Sequence, residues 1–231
     1  MNIDLAVLDI AGTTVQDSND VAGAFVWAFE NHGIRVDASM VRPLMGYAKP
    51  VAIQTVLEKT GHPFDHELIE AIHRDFRADM LDFYAFSPAV QPMAGAEDLF
   101  LYLKEQNVKV ALNTGFSREI AEVILERFQW MERGLIDEFV ASDEVGRGRP
   151  FPDMINVLKK RTGVGTDALL MKVGDTTVDM EEGTNAGCRL IIGVTTGACT
   201  QQELETRKPT HIVERLSQIP EILQNEPAYE R

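Results

Sequence analysis

Three aspartates sit where they can act together. Asp9 closes an apolar run, residues 3–8, and opens the turn Asp9-Ile10-Ala11-Gly12-Thr13-Thr14. A second apolar run ends in Asn113-Thr114-Gly115, and a third in Gly174-Asp175-Thr176-Thr177-Val178-Asp179. Arg149 precedes Pro150 at a helix start. Carboxylates brought close repel each other unless a cation sits among them. Hard oxygen ligands without His or Cys suit Mg²⁺. With Arg149, Thr114 and turn amides beside it, such a site holds a phosphoryl group. One screened carboxylate can then attack phosphorus and form an acyl phosphate.

These residues share a rim only if the apolar runs lie side by side. Short runs at 3–8, 108–112, 138–141, 169–173, 189–194 and 210–213 read as strands. Helical patterns at 96–106, 118–128, 153–162, 178–186 and 201–206 alternate with all but the first. That alternation predicts an α/β fold, a parallel sheet covered on both faces, with the ligand site beyond the carboxyl ends of the strands. Ser117 is the expected cap of the helix at 118.

The first strand is separated from its sheet by a helical stretch. Ser18 is the expected N-cap of a helix toward Gly33, with Val21, Phe25, Ala28 and Phe29 on its buried stripe and Trp27 turned elsewhere, toward an interface. Helices at 51–59 and 65–83 follow, then a Pro- and Gly-marked linker over 86–95. The expected organisation is an α/β core of residues 1–16 and 88–231 with a helical cap domain, 17–87, inserted after strand one. Residues 224–231 read as a frayed tail.

Composition narrows the partners. The 231 residues are 45% apolar and 25% charged, ordinary for a globular protein. With 22 basic and 36 acidic residues the net charge is −14, which opposes binding to nucleic acid and to anionic membrane. No run of about 18 apolar residues suggests a membrane span, and the first residues lack the basic flank of a secretory signal. Cys188 and Cys199 lack metal-ligand spacing and read as free thiols of a cytoplasmic protein.

The motifs resemble those of the haloacid dehalogenase-like hydrolase superfamily, in order and along essentially the whole chain. These are the Asp9 turn, Asn113-Thr114-Gly115, Gly148-Arg149-Pro150-Phe151-Pro152-Asp153, and Gly174-Asp175 through Asp179. The resemblance implies a doubly wound, Rossmann-like core. It makes Asp9 the nucleophile and gives Mg²⁺ to Asp9, Asp175, Asp179 and the backbone carbonyl of Ala11. It gives phosphoryl contacts to Thr114 and Gly115 and to the turn residues Gly12 and Thr13. Arg149 stands where many members have Lys and would neutralise charge on Asp9 and the phosphoryl group.

Two positions sharpen the expectation. Phosphatases of this superfamily usually carry a second Asp two residues after the nucleophile, to protonate the leaving group. Here that residue is Ala11, which exchanges no proton. The segment Met45-Gly46-Tyr47-Ala48-Lys49 resembles the cap motif of the phosphonoacetaldehyde hydrolase group, whose lysine forms a Schiff base with the substrate aldehyde. By that resemblance Lys49 is catalytic, Met45 lines the substrate pocket, and the substrate is a small phosphonate. The same group has His where this chain has Ala52 and Trp where it has Asp153. The alternatives are a phosphate monoester phosphatase acting on phosphoglycolate or a sugar phosphate, and a binding protein that kept the fold without turnover. The resemblance also allows a homodimer joined through the caps.

Overall fold

Every residue of Leu5–Asp9 (β1) is buried, as befits a strand with neighbours on both sides and layers on both faces. The computed structural model describes residues 3–226. After β1 come four helices: α1 (Asp20–Asn31), α2 (Ala38–Val41), α3 (Lys49–Thr60) and α4 (His66–Phe86). Then α5 (Ala96–Glu105), β2 (Lys109–Thr114), α6 (Arg118–Phe128), β3 (Glu138–Ala141), α7 (Asp153–Thr162) and β4 (Leu170–Gly174) alternate. The alternation ends with α8 (Thr177–Asn185), β5 (Leu190–Val194), α9 (Gln201–Glu205), β6 (His211–Val213) and α10 (Ile219–Asn225).

The six strands are all parallel, in the order β3-β2-β1-β4-β5-β6. The sheet is doubly wound, and its winding reverses at β1, so a crevice opens at the carboxyl ends of β1, β2 and β4. Register puts Asp9 opposite Asn113 and Leu8 opposite Val173, which levels the three motif-bearing ends.

The helices between β1 and α5 are joined to the sheet through aromatic packing. Phe25 and Phe29 of α1 are buried, as are Ile69, Ile72, Phe76, Met80 and Tyr84 of α4, whose spacing of three and four marks one helix face. The Phe25 and Phe76 rings lie 4.5 Å apart. Phe116, just past β2, stands 6.4 Å from Phe76 and edge-on to Tyr84 at 5.6 Å. Truncating Phe76 to Ala would therefore cost about 3–5 kcal/mol. Trp27 is 45% exposed, off this stripe.

Three local expectations are corrected. Ser18 does not cap α1: the Asp17 carboxylate accepts from the Asp20 and Val21 amides, and Asn19 turns the chain with φ 72°. Ser117 precedes α6 but its hydroxyl caps nothing, and its Oγ is buried without a hydrogen-bond partner among the described residues. Gln224 and Asn225 are helical rather than frayed, because Leu223 and Ile219 anchor α10 in the core. Residues 227–231 of the expected tail lie outside the described residues. Among those described, no helix is long and apolar enough to cross a membrane.

Candidate active site

Asp9, Asp175 and Asp179 come together at the crevice, each buried, with a ligand oxygen of each within 4.8 Å of the others. Three local devices hold them. Asp9 ends β1. Asp175 follows β4 and is pinned by the Thr13 hydroxyl, which donates to its Oδ1 at 2.9 Å, and by the Ala198 amide, which donates to Oδ2 at 2.7 Å. Asp179 sits in the first turn of α8 in a capping box: its Oδ2 accepts from the Thr176 amide at 3.2 Å, and its own amide donates to Thr176 Oγ1 at 3.3 Å.

Gly12 and Thr13 shape the turn after β1. The Gly12 amide donates to Val15 O at 2.8 Å and the Thr13 amide to Ile10 O at 3.3 Å, so both serve the turn. Gly12 has φ +83°, and a Cβ there would stand 2.6 Å from Asp175 Oδ2. Only glycine lets that carboxylate approach.

Arg149 is the hub of the rim, with a fully buried side chain. Its Nη1 lies 2.6 Å from Asp9 Oδ1 and 3.2 Å from Asp179 Oδ1, and its Nε donates to Glu182 Oε2 at 3.0 Å. Its Nη2 donates to the backbone and side-chain oxygens of Asn113, and Nη1 reaches Gly46 O at 3.3 Å. Lys172 completes the network: buried in β4, its ammonium donates to Asn113 Oδ1 at 2.6 Å and pairs with Asp179 at 3.0 Å and Glu182 at 3.1 Å. Sequence reasoning assigned no role to Asn113, Lys172 or Glu182. The signal was present for Lys172, a charge in the middle of the otherwise apolar Leu170–Gly174 strand.

The cluster is short of positive charge. Among the described residues, four buried carboxylates (Asp9, Asp175, Asp179 and Glu182) face Arg149 and Lys172 at the rim. Burial pushes the Asp9 carboxyl up despite Arg149 beside it, and burial together with Asp9 and Asp179 pushes Asp175 well above the carboxylate range. Burial would raise Asp179 too, but Arg149 and Lys172 outweigh it and hold its pKa below the ordinary value. A donor set of hard oxygens with an unmet charge fits a divalent cation such as Mg²⁺.

Lys49 faces the same space from the opposite side. It is the first residue of α3, with Pro50 in the first helical turn, and is only 4% exposed. Its Nζ lies 5.5, 5.9 and 4.8 Å from the ring centres of Phe25, Phe76 and Phe116, and it makes no ion pair among the described residues. Burial pulls its pKa down to about 8, against the opposing pull of Asp9. Asp9, Ala11, Asp17, Met45, Lys49 and Thr114 line one cavity of about 20 Å³, together with Gly115 and Asp175. That is room for about one water.

A larger cavity of about 470 Å³ lies beyond Arg149, lined by Tyr47, Val51, His73, Ser117 and Phe151 among others, and holds none of the three aspartates. Met45 and Tyr47 are thus split between two cavities. A Cβ on Gly115 would fall on the carbonyls of Gly46 and Tyr47, so this glycine lets the loop before α3 press onto the end of β2. Arg147 pairs outward with Asp153 at 2.9 Å. Ala52 is fully buried in α3, and none of His62, His66 or His73 lines the smaller cavity.

A family model described as haloacid dehalogenase-like hydrolase matches residues 6–193. A phosphonoacetaldehyde hydrolase of Bacillus cereus (strain B4264) is 28% identical over 230 residues, covering 94% of this chain and 86% of that protein. The crystal structure of a phosphonoacetaldehyde hydrolase-like protein from Oleispira antarctica superposes with a TM-score of 0.86 at 24% identity, covering 97% of this chain and 92% of that one. A predicted phosphoglycolate phosphatase from Haemophilus somnus shares the fold, with a TM-score of 0.79 at 19% identity over 96% of this chain and 98% of its own.

Proposed function

Because the chain belongs to the haloacid dehalogenase-like hydrolases, we propose that it is a Mg²⁺-dependent phosphonatase, cleaving the phosphorus–carbon bond of phosphonoacetaldehyde or a close carbonyl phosphonate. One observation carries this reading. An aspartate nucleophile and a desolvated, unpaired lysine line the same small cavity, and Ala11, which lines it too, has no proton to give an alkoxide.

Asp9 attacks phosphorus, with Arg149 holding its Oδ1 and orienting the other oxygen. The Thr114 hydroxyl and Gly115 amide take phosphoryl oxygens. Asp9, Asp175, Asp179 and the Ala11 carbonyl would hold the metal. Mg²⁺, when bound, supplies the positive charge that lets an anionic carboxylate meet an anionic phosphoryl group. Lys49, with a pKa near 8, is neutral in a useful fraction of molecules at neutral pH and can add to an aldehyde. The resulting iminium accepts the electron pair of the breaking phosphorus–carbon bond, and water then hydrolyses the aspartyl phosphate.

On this reading residues 17–87 serve as a cap over the rest of the described chain. A cavity of about 20 Å³ holds no phosphonate, so these helices must part to admit one and close behind it. The test is phosphate release across phosphonates and phosphate monoesters, with and without Mg²⁺. Borohydride added with phosphonoacetaldehyde should reduce an imine to a stable adduct on Lys49. Turnover without that adduct removes the imine step. Ala52, where the resemblance expects an assisting histidine, favours one rival: a phosphate monoester hydrolase. Full ester turnover by Lys49→Met, with no phosphonate turnover by the wild type, would establish it.

A further inference from the structure

Imine chemistry moves protons as well as electrons, and the two positions to which the resemblance assigns proton-moving residues are alanines here, Ala11 and Ala52. Four titratable side chains line the small cavity: Asp9, Asp17, Lys49 and Asp175. Asp9 is the attacking group, Asp175 belongs to the metal cluster, and Lys49 is the amine. Asp17 is left without a role.

Asp17 is also built to be held still. It stands at the start of α1, where its Oδ1 accepts from the Asp20 amide at 2.8 Å and the Val21 amide at 3.3 Å. Its Oδ2 takes no hydrogen bond from the described residues. The carboxyl is thus anchored by one oxygen, and the other is free for the cavity. We propose that Asp17 is the acid–base residue of the carbonyl step, exchanging a proton between its Oδ2 and the substrate oxygen over Lys49. This rests on the phosphonatase reading above.

The step balances. The neutral Lys49 amine adds to the carbonyl carbon, forming a C–N bond, while the carboxylic acid of Asp17 gives its proton to the carbonyl oxygen, which becomes a hydroxyl; the resulting carboxylate then takes the extra proton from nitrogen. The carboxylic acid of Asp17 then gives its proton to that hydroxyl. The C–O bond breaks, water leaves, and an iminium and a carboxylate remain. After the phosphorus–carbon bond breaks, the enamine carbon takes the proton given up by the water that hydrolyses the aspartyl phosphate, which restores the iminium. The same exchange then runs backwards, with Asp17 taking a proton from the water that adds to the iminium, and acetaldehyde is released. The surroundings suit both directions. Burial pushes the Asp17 carboxyl up against the pull of the two amides, Asp20 at the first position of α1 adds to the rise, and Lys49 on α3 opposes it. Tyr84 of α4 also lies within its field.

Asp17→Asn keeps an oxygen for the two amides and removes the titratable carboxyl; Asp17→Ser, also a good helix cap, is a second variant without one. In Mg²⁺-loaded full-length protein, phosphate release from phosphonoacetaldehyde should fall about 10²- to 10³-fold in both. Borohydride trapping at Lys49 should slow by a similar factor. Release from acetyl phosphate, whose leaving group needs no proton and forms no imine, should change by less than about threefold. A wild-type trapping rate in the variants overturns the role of Asp17 alone. An equal loss on both substrates makes Asp17 merely structural and overturns it too. Absence of any adduct in the wild type instead sinks the phosphonatase reading, and the inference with it.

Discussion

At the carboxyl end of β1, Asp9 is met by Arg149 at 2.6 Å, and the charges behind it form a closed set of fixed partners. Across the cavity Lys49 is as deeply buried, yet it meets three phenyl rings and no carboxylate at ion-pair distance. Both regions take charge out of water. The strand-end rim pairs its charges: Arg149 and Lys172 hold Asp179 below the ordinary carboxylate value against burial, while burial pushes Asp9 and Asp175 up. The helical side leaves its cation unpaired, so burial shifts its protonation instead. Ring faces offer a cation only about 1–2 kcal/mol, less than a buried carboxylate would. One region is an ion-paired cluster still short of positive charge and suited to phosphoryl transfer around a cation. The other is tuned toward a neutral amine and suited to carbonyl addition.

That contrast can be broken most sharply at Asp9. Asp9→Asn should lower phosphate release from every substrate by about 10⁴-fold or more, roughly 5.5 kcal/mol of lost transition-state stabilisation, read in steady-state assays. Lys49→Met should act on one side only. Release from phosphonoacetaldehyde should fall about 10³-fold while acetyl phosphate is spared, and equal losses would deny the separation. Lys172→Met probes the paired rim. Removing one partner of the buried network should cost about 3 kcal/mol in chemical denaturation, because Asp179 and Glu182 each lose a buried cation at 3.0 and 3.1 Å.

Lys49→Met probes the unpaired side with the opposite sign. The folded-state pKa of Lys49, about 8, lies below its unfolded value of 10.5, so the unfolded chain binds more protons between them. Stability from this group is full above the upper value and is lost as pH falls to the lower one. The variant should therefore be more stable than wild type by about 3 kcal/mol at pH 7, with the gap closing from about pH 8 to pH 10.5. A constant gap would mean Lys49 is not held in a desolvated site. The smallest effect belongs to Arg147→Ala, an exposed pair with Asp153, which should move stability by less than about 1 kcal/mol in the same titration.

Much of the rim was legible because its motifs end apolar runs. Asp9, Asn113-Thr114-Gly115 and Gly174-Asp175 each follow a strand whose pattern shows in the sequence, and a parallel sheet must bring such ends to one edge. Lys172 and Glu182 were passed over for a related reason. A single charge in a strand or helix reads as solvated until its neighbours are known, and here those neighbours come from other elements. Asp17 was hidden by the choice of Ser18 as cap, since Ser, Asn and Asp compete at a helix start and only the backbone decides among them. The turn amides of Gly12 and Thr13 looked available because local geometry is not written in residue type.

The amino-acid sequence by itself determined the order of strands and helices, the helical insertion after β1, and the identity of the strand-end carboxylates. These follow from periodicity and composition, which are local. Only the tertiary structure decided that Lys49 is buried among Phe25, Phe76 and Phe116 without an anion, and that Asp17 shares its cavity with Asp9. Protonation depends on what surrounds a group within a few ångströms, and those surroundings come from segments far apart along the chain.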